Sequence, residues 1–240
     1  MAVKSAPMAG LSTIAFDADD TLWHSERAFR LTEERFADLL ADYMDAGDLS
    51  RRLLETEKRN LHFYGFGWKG FILSMMETAI DVTDGKVPTS VLRTLIELGR
   101  DIAAHPIEIL PGVRETLHAV AERYRIILIT KGDLMDQEQK LARSDLGHLF
   151  HAVEIVSDKT AAVYTRLFAR HGDGPGRSMM VGNSLRSDVI PAIEAGSWGV
   201  FIPHALTWTA EHAEPPRESP RFRELQRIDQ VPALLDEIDR

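Results

Sequence analysis

Asp17, Asp19 and Asp20 crowd into the short segment Phe16-Asp17-Ala18-Asp19-Asp20-Thr21. Carboxylates this close repel one another unless a cation lies among them, and their hard oxygens suit Mg²⁺. Taken alone, the segment could equally be an acidic turn leading into a helix. Further along stand Thr130, Lys159 and the run Gly182-Asn183-Ser184-Leu185-Arg186-Ser187-Asp188. Each has an ordinary explanation: a strand-ending threonine, a solvated first-turn lysine, an exposed helical acid. Each also follows a short apolar run, and ligands of open α/β sheets bind outside the carboxyl ends of the strands. Polar chemistry at four such ends makes coincidence a poor explanation.

The runs themselves are brief and rich in β-branched residues: Leu11 to Phe16, Ile126 to Thr130, Val153 to Val156, Met179 to Val181 and Gly199 to Ile202. They read as strands. Between them apolar residues recur at helical spacing, as in Val113, Leu117, Val120 and Ala121, then Leu134 and Leu141, then Val163 and Leu167. Strands alternating with helices imply a parallel sheet in an α/β fold. Gly172 and Gly196 each follow a helical segment as left-handed caps, and Pro191 kinks or shortens the helix it falls in.

Residues 23–106 break this rhythm, with no convincing strand and four helical patterns. Phe29, Phe36, Leu40 and Tyr43 trace one face, Leu53, Leu54 and Leu61 a second, Phe71, Leu73, Met75 and Met76 a third, and Val91, Leu95, Leu98 and Ile102 a fourth. Gly47 with Asp48, Gly65 to Gly67, and Asp84 to Pro88 punctuate them as turns. The division expected is a core of residues 1–22 and 107–240 with an inserted helical bundle over 23–106. In that bundle Phe63 and Phe71 read as core, whereas Tyr64, Trp68 and Lys69 are offered as substrate contacts. His24, at the junction, either lines the site or caps a helix. After Pro203 a polar, proline-bearing stretch precedes an apolar patch at Val231, Leu234 and Leu235, and reads as a tail wrapping the surface.

Composition narrows the chemistry. The chain has 240 residues, 44% hydrophobic and 27% charged, which is enough to bury a core. It has no cysteine, which excludes disulfides, thiolate catalysis and cysteine-ligated zinc or iron-sulfur sites. The opening residues lack a basic segment followed by a long apolar run, and nowhere do 18 apolar residues run uninterrupted, so a soluble cytoplasmic protein without membrane contact is expected. A net charge of −9 disfavours nonspecific binding to nucleic acid.

In order and spacing, Asp17 to Thr21, Thr130, Lys159 and Gly182 to Asp188 resemble the DxDxT, strand-terminal Thr, Lys and GDxxxxD motifs of the haloacid dehalogenase superfamily, in its phosphatase branch with a helical cap inserted after the first motif. The resemblance covers nearly the whole chain. It implies a Rossmann-like parallel sheet and hydrolysis of a small phosphorylated metabolite through an aspartyl phosphate. It gives Asp17 as nucleophile and Asp19 as acid and base. Thr130 and the N–H groups of Lys131 and Gly132 would bind phosphate, together with the charge of Lys159. It gives Mg²⁺ as cofactor, held by Asp17, Asp19, Asn183 and Asp188, with Asp188 reaching either a metal-bound water or the lysine. Asn183 departs from the motif's usual aspartate; it keeps an oxygen and loses a charge, so a weaker metal site is expected. The alternatives are a metal-independent dehalogenase and a catalytically weak protein that binds phosphorylated ligands. An acid two residues beyond the nucleophile speaks against the dehalogenase.

Overall fold

Alternation along three central strands decides the architecture. The structure, a computed structural model, describes residues 10–240. The expectations that touch residues 1–9, namely the missing leader and the start of the core segment, lie outside the described residues. Strands β1 (Thr13–Phe16), β2 (Arg125–Lys131), β3 (Ala152–Val156), β4 (Ser178–Gly182), β5 (Trp198–Phe201) and β6 (Phe222–Glu224) form one sheet in the order β3-β2-β1-β4-β5-β6. Every pairing is parallel. The helices are α1 (Glu26–Leu39), α2 (Ala46–Tyr64), α3 (Trp68–Val82), α4 (Thr89–Ala104), α5 (Val113–Ala121), α6 (Leu134–Ser144), α7 (Ala161–His171), α8 (Ile190–Glu194) and α9 (Val231–Ile238).

Successive strand residues point to opposite faces. Ile14, Phe16, Ile126, Leu128, Met179 and Val181 pack with Leu117 and Val120 of α5 and Val231 and Leu235 of α9. Ala15, Ile127, Ile129 and Met180 pack on the other face with Tyr164, Leu167 and Phe168 of α7 and Ala192 of α8. A sheet covered on both faces needs strands that are apolar throughout, which is why these segments read as continuous apolar runs. Helices α1 to α4 bury a cluster of their own, built from Phe36, Leu40, Leu53, Phe71, Met75, Val91, Leu95 and Ile102. Among the described residues no helix is long and apolar enough to cross a membrane.

Several local expectations need correction. Strand β6 has no counterpart in the sequence reading; it is only three residues long, and Phe222 is its one buried side chain. The segment after Pro203 is not a surface tail: it supplies Trp208 and Glu211 to an internal cavity and continues into β6 and the buried face of α9. Gly47 and Asp48 lie in the first turn of α2, whose cap Asp45 accepts hydrogen bonds from both their N–H groups. Gly172 is extended, with φ of −151°, and is not a left-handed cap. A Cβ there would meet Thr13 Oγ1 at 2.3 Å, so close approach to β1 demands the glycine. Pro191 is the second residue of α8, which follows directly on a π-helical turn over Leu185–Val189 and is only five residues long. Phe63 is 72% exposed and Leu73 also faces outward, because α2 and α3 turn other stripes to the bundle; Tyr43 is exposed in the turn after α1. Phe71 is buried as expected.

Candidate active site

β1 is the central strand, with β2 and β4 on either side, so the segments leaving these strands diverge and open a crevice beyond its carboxyl end. Asp17 is the first residue past β1, its N–H bonded to Val181 O at 2.9 Å. Its Oδ1 lies 2.5 Å from Lys159 Nζ, and its Oδ2 accepts from the Thr21 hydroxyl at 3.1 Å. That hydroxyl also accepts from the Asn183 N–H at 3.1 Å, tying the loop after β1 to the loop after β4.

Lys159 lies just before α7, which Thr160 caps. Its ammonium is shared between Asp17 and Asp188 Oδ1, the latter at 2.6 Å, while Asp188 Oδ2 accepts from Ser184 N–H at 2.9 Å. Both oxygens of this buried carboxylate are thereby engaged; of the two partners foreseen for Asp188, it holds the lysine. A Cβ at Gly182 would lie 2.2 Å from Asp188 Oδ2, so this strand end admits only glycine. Burial, and after it the charge of Asp188, pushes the Asp17 carboxyl above the usual range, against the charge and hydrogen bond of Lys159. Burial alone would lower Lys159, but Asp17 and Asp188 outweigh it and hold its pKa above the ordinary lysine value.

Beside this triad the oxygens converge. With its oxygen inward, the Asn183 amide meets Thr21 Oγ1 at 3.2 Å. With the amide nitrogen inward, the same position donates to Asp19 O at 3.2 Å, Asp17 Oδ2 at 3.3 Å and Thr21 Oγ1 at 3.2 Å. The spot therefore takes either a donor or a cation that draws three oxygens together. Asp17 Oδ2, the Asp19 carbonyl and the Asn183 amide oxygen are hard neutral or anionic ligands of the kind Mg²⁺ selects, so the residues fit that ion.

The Asp19 side chain points another way. Its Oδ1 accepts from Trp23 Nε1 at 2.9 Å and its Oδ2 from Gln137 Nε2 at 2.8 Å, while Lys140 Nζ lies 3.2 and 3.1 Å from the two. Burial would raise this carboxyl, but the Lys140 charge and the bonds from Gln137 and Trp23 outweigh it, and its pKa is lowered. Thr130, the residue before the last of β2, is buried at the crevice floor. Lys131 turns its side chain to Ser187 Oγ at 2.7 Å, to Glu211, and over the Phe66 ring at 3.8 Å. The Gly132 N–H faces Val156 O at 3.4 Å, so this donor, expected at the phosphate, is directed toward β3.

Asp17, Asp19, Thr130, Lys131, Gly132, Lys159, Asn183 and Asp188 all line one cavity of about 230 Å³. Helices α1 and α2 close it from above with Glu26, Phe29, Arg30, Glu33 and Glu57, and the loop between α2 and α3 adds Phe66, whose ring meets Trp208 edge-on. Gly65 and Gly67, at φ of 67° and 121°, give that loop its shape. Burial, then the charge of Asp20, pushes Glu26 up to about 8; burial, then Glu33, pushes Glu57 up to about 7.

Tyr64, Trp68 and Lys69 do not line the cavity. Tyr64 is half exposed, Trp68 packs into the helical cluster, and Lys69 pairs with Asp133 at 2.9 Å. His24 neither lines the cavity nor caps α1: its ring leans on His204, and the first N–H groups at that helix start go to Asp20, from Ser25 at 2.9 Å and Glu26 at 3.0 Å. Lys140, Gln137 and Glu211 are site residues that the sequence reading passed over. The first two share a signal, being three apart on α6, whose buried residues also include Asp136 and Ser144.

A family model described as haloacid dehalogenase-like hydrolase matches residues 11–196. The chain is 27% identical over 209 residues to the glyceraldehyde 3-phosphate phosphatase of Methanothermobacter thermautotrophicus, covering 82% of this chain and 88% of that protein. It superimposes on a haloacid dehalogenase-like family hydrolase from Xanthomonas campestris with a TM-score of 0.86 at 39% identity, over 97% of this chain and 96% of the other. At 15% identity it shares the fold of the HAD-hydrolase YfnB of Bacillus subtilis, a structure bound to magnesium, with a TM-score of 0.67 over 95% of this chain and 100% of that one.

Proposed function

This chain belongs to the haloacid dehalogenase-like hydrolases, and from that membership we propose that it is a Mg²⁺-dependent phosphatase acting on a small phosphate monoester. The observation that carries the reading is the pair Asp17 and Asp19 in one cavity, the first pinned by Lys159 and the second presented on a neighbouring wall. A dehalogenase, which attacks carbon, leaves Asp19 without work. The likeness to a glyceraldehyde 3-phosphate phosphatase supports a small phosphorylated substrate, as does a cavity of about 230 Å³.

Asp17 attacks phosphorus in line; an Asp17 oxygen–phosphorus bond forms as the bond to the leaving oxygen breaks. Asp19 gives that oxygen its proton, and the alcohol departs. Water then attacks the aspartyl phosphate, Asp19 takes its proton, and the electron pair of the breaking bond returns to Asp17. A positioned acid and base of this kind is worth roughly 10²- to 10⁴-fold. The Thr130 hydroxyl and the Lys159 ammonium hold phosphate oxygens. Asp17 Oδ2, the Asp19 carbonyl and Asn183 would hold Mg²⁺, with Asp188 acting through Lys159. When bound there, the ion supplies positive charge that lets a phosphate approach a carboxylate. Residues 23–106 serve as a cap on a core built, among the described residues, from 10–22 and 107–240, giving the cavity the roof that excludes water.

The test is phosphate release from a panel of sugar phosphates, short phosphorylated acids and aldehydes, including glyceraldehyde 3-phosphate. Mg²⁺ should support turnover and Ca²⁺ should not, since its larger shell loosens the geometry. Asp17→Asn should yield neither phosphate nor a trapped acyl phosphate. Full activity in a chelator, or in Asp17→Asn, refutes the proposal.

A further inference from the structure

Lys140 is a buried lysine whose charge the helix has already answered. Asp136, one turn earlier on α6, lies 3.1 Å from its ammonium. The ammonium nevertheless reaches across to Asp19 and contacts both of its oxygens. Gln137, three residues before it, also commits its amide nitrogen to Asp19 at 2.8 Å, with a longer contact to Lys131 O at 3.4 Å, although this leaves its own Oε1 buried with no partner among the described residues. A neutral side chain oriented to satisfy a neighbour while leaving its own oxygen unmet is held there by that neighbour. With Trp23 Nε1 the carboxylate has donors from three side chains, spread over both oxygens, and its torsion is fixed. Both oxygens accept, so the group is held as a carboxylate, the form that must be present when water gives up its proton.

We infer that Lys140 and Gln137 are positioning residues for the second half of the reaction, holding the Asp19 carboxylate where it takes the proton from the water that attacks the aspartyl phosphate. This rests on the phosphatase reading above. In that step the water oxygen bonds to phosphorus, its proton passes to Asp19, and the bond to Asp17 breaks with its electron pair returning to Asp17. Neither residue touches the reacting atoms.

The experiment is rapid mixing of the full chain and its variants with p-nitrophenyl phosphate and Mg²⁺. It follows p-nitrophenolate for formation of the phosphoenzyme, and acid-trapped acyl phosphate and free phosphate for its breakdown. This leaving group departs with little help from an acid, so formation should stay within about threefold of wild type in Lys140→Met. Breakdown should fall about tenfold or more, and trapped phosphoenzyme should rise. Lys140→Arg should recover part of the loss. Gln137→Leu removes one neutral donor and should show the same selective slowing on a smaller scale; it decides the matter if Lys140→Met fails to fold. Formation and breakdown slowed in proportion, or a trapped fraction that does not rise, overturns the positioning role while leaving the phosphatase reading intact. A wild-type chain that releases no p-nitrophenolate overturns both.

Discussion

The ammonium of Lys159 stands 2.5 Å from Asp17 Oδ1 at the floor of the cavity, with neither group open to bulk water. Removing that cation strands Asp17 beside Asp188. Lys159→Met should therefore destabilise the fold by about 3 kcal/mol or more, the cost of breaking a buried pair, and lower phosphate release by at least ~10²-fold. Urea unfolding at neutral pH checks the first part; a loss below about 1 kcal/mol would mean that water reaches the pair.

Asn183 brings an amide to a place where three oxygens crowd. Asn183→Asp adds a negative charge there, and the Mg²⁺ concentration for half-maximal activity should drop by about tenfold. A titration that does not move removes the side chain from the metal's shell.

Asp19→Asn keeps the shape of the cavity and loses the proton carrier. Turnover of an alkyl phosphate should fall by roughly 10²-fold or more, while acyl phosphate should still accumulate from p-nitrophenyl phosphate. If Asp19→Asn matches wild type on both esters, its proton role is wrong and a carbon-centred reaction returns to contention.

Glu26 is pushed up to about 8 against an ordinary 4.5, by burial and then by Asp20. The folded protein therefore keeps a proton that the unfolded chain gives up, so stability should fall as pH rises from about 4.5 to about 8. Glu26→Gln removes that slope. Its stability relative to wild type should be better at pH 8 than at pH 5 by something on the order of 1 kcal/mol, read from urea unfolding at both values. An equal difference at the two pH values would show that Glu26 titrates as an ordinary surface acid.

The strands β1, β2, β4 and β5 were legible because burial makes each a largely apolar run, and the edge strand β3 because Val153, Ile155 and Val156 surround its single Glu154. The residues at their ends stood out because a strand end is a place the chain cannot avoid. β6 was not legible: three residues with one buried side chain carry no period. In the cavity, Asp17, Asp19, Thr130, Lys159 and Asn183 were legible as motif positions, whereas the partners of Asp19 were not. Lys140 and Gln137 sit on a polar helix face that looks solvated until the fold turns it onto a carboxylate. Phe63 misled because an aromatic at helical spacing fixes a stripe without saying whether that stripe faces a neighbour. Phe66, flanked by two glycines, belonged to no stripe, and it is this residue that enters the cavity.

β1 ends at Phe16, yet its parallel neighbours begin only at Arg125 and Ser178. During synthesis the strand that precedes the nucleophile must wait, unpaired, while about a hundred residues emerge behind it. Helices α1 to α4, whose contacts are local, can gather first and shorten the effective loop; closing a loop of n residues costs only about (3/2)RT ln n, so the delay matters more than the entropy. A nascent chain halted before Arg125 would expose Ile14, Ala15 and Phe16 as a bare strand, the form in which aggregation and chaperone capture begin.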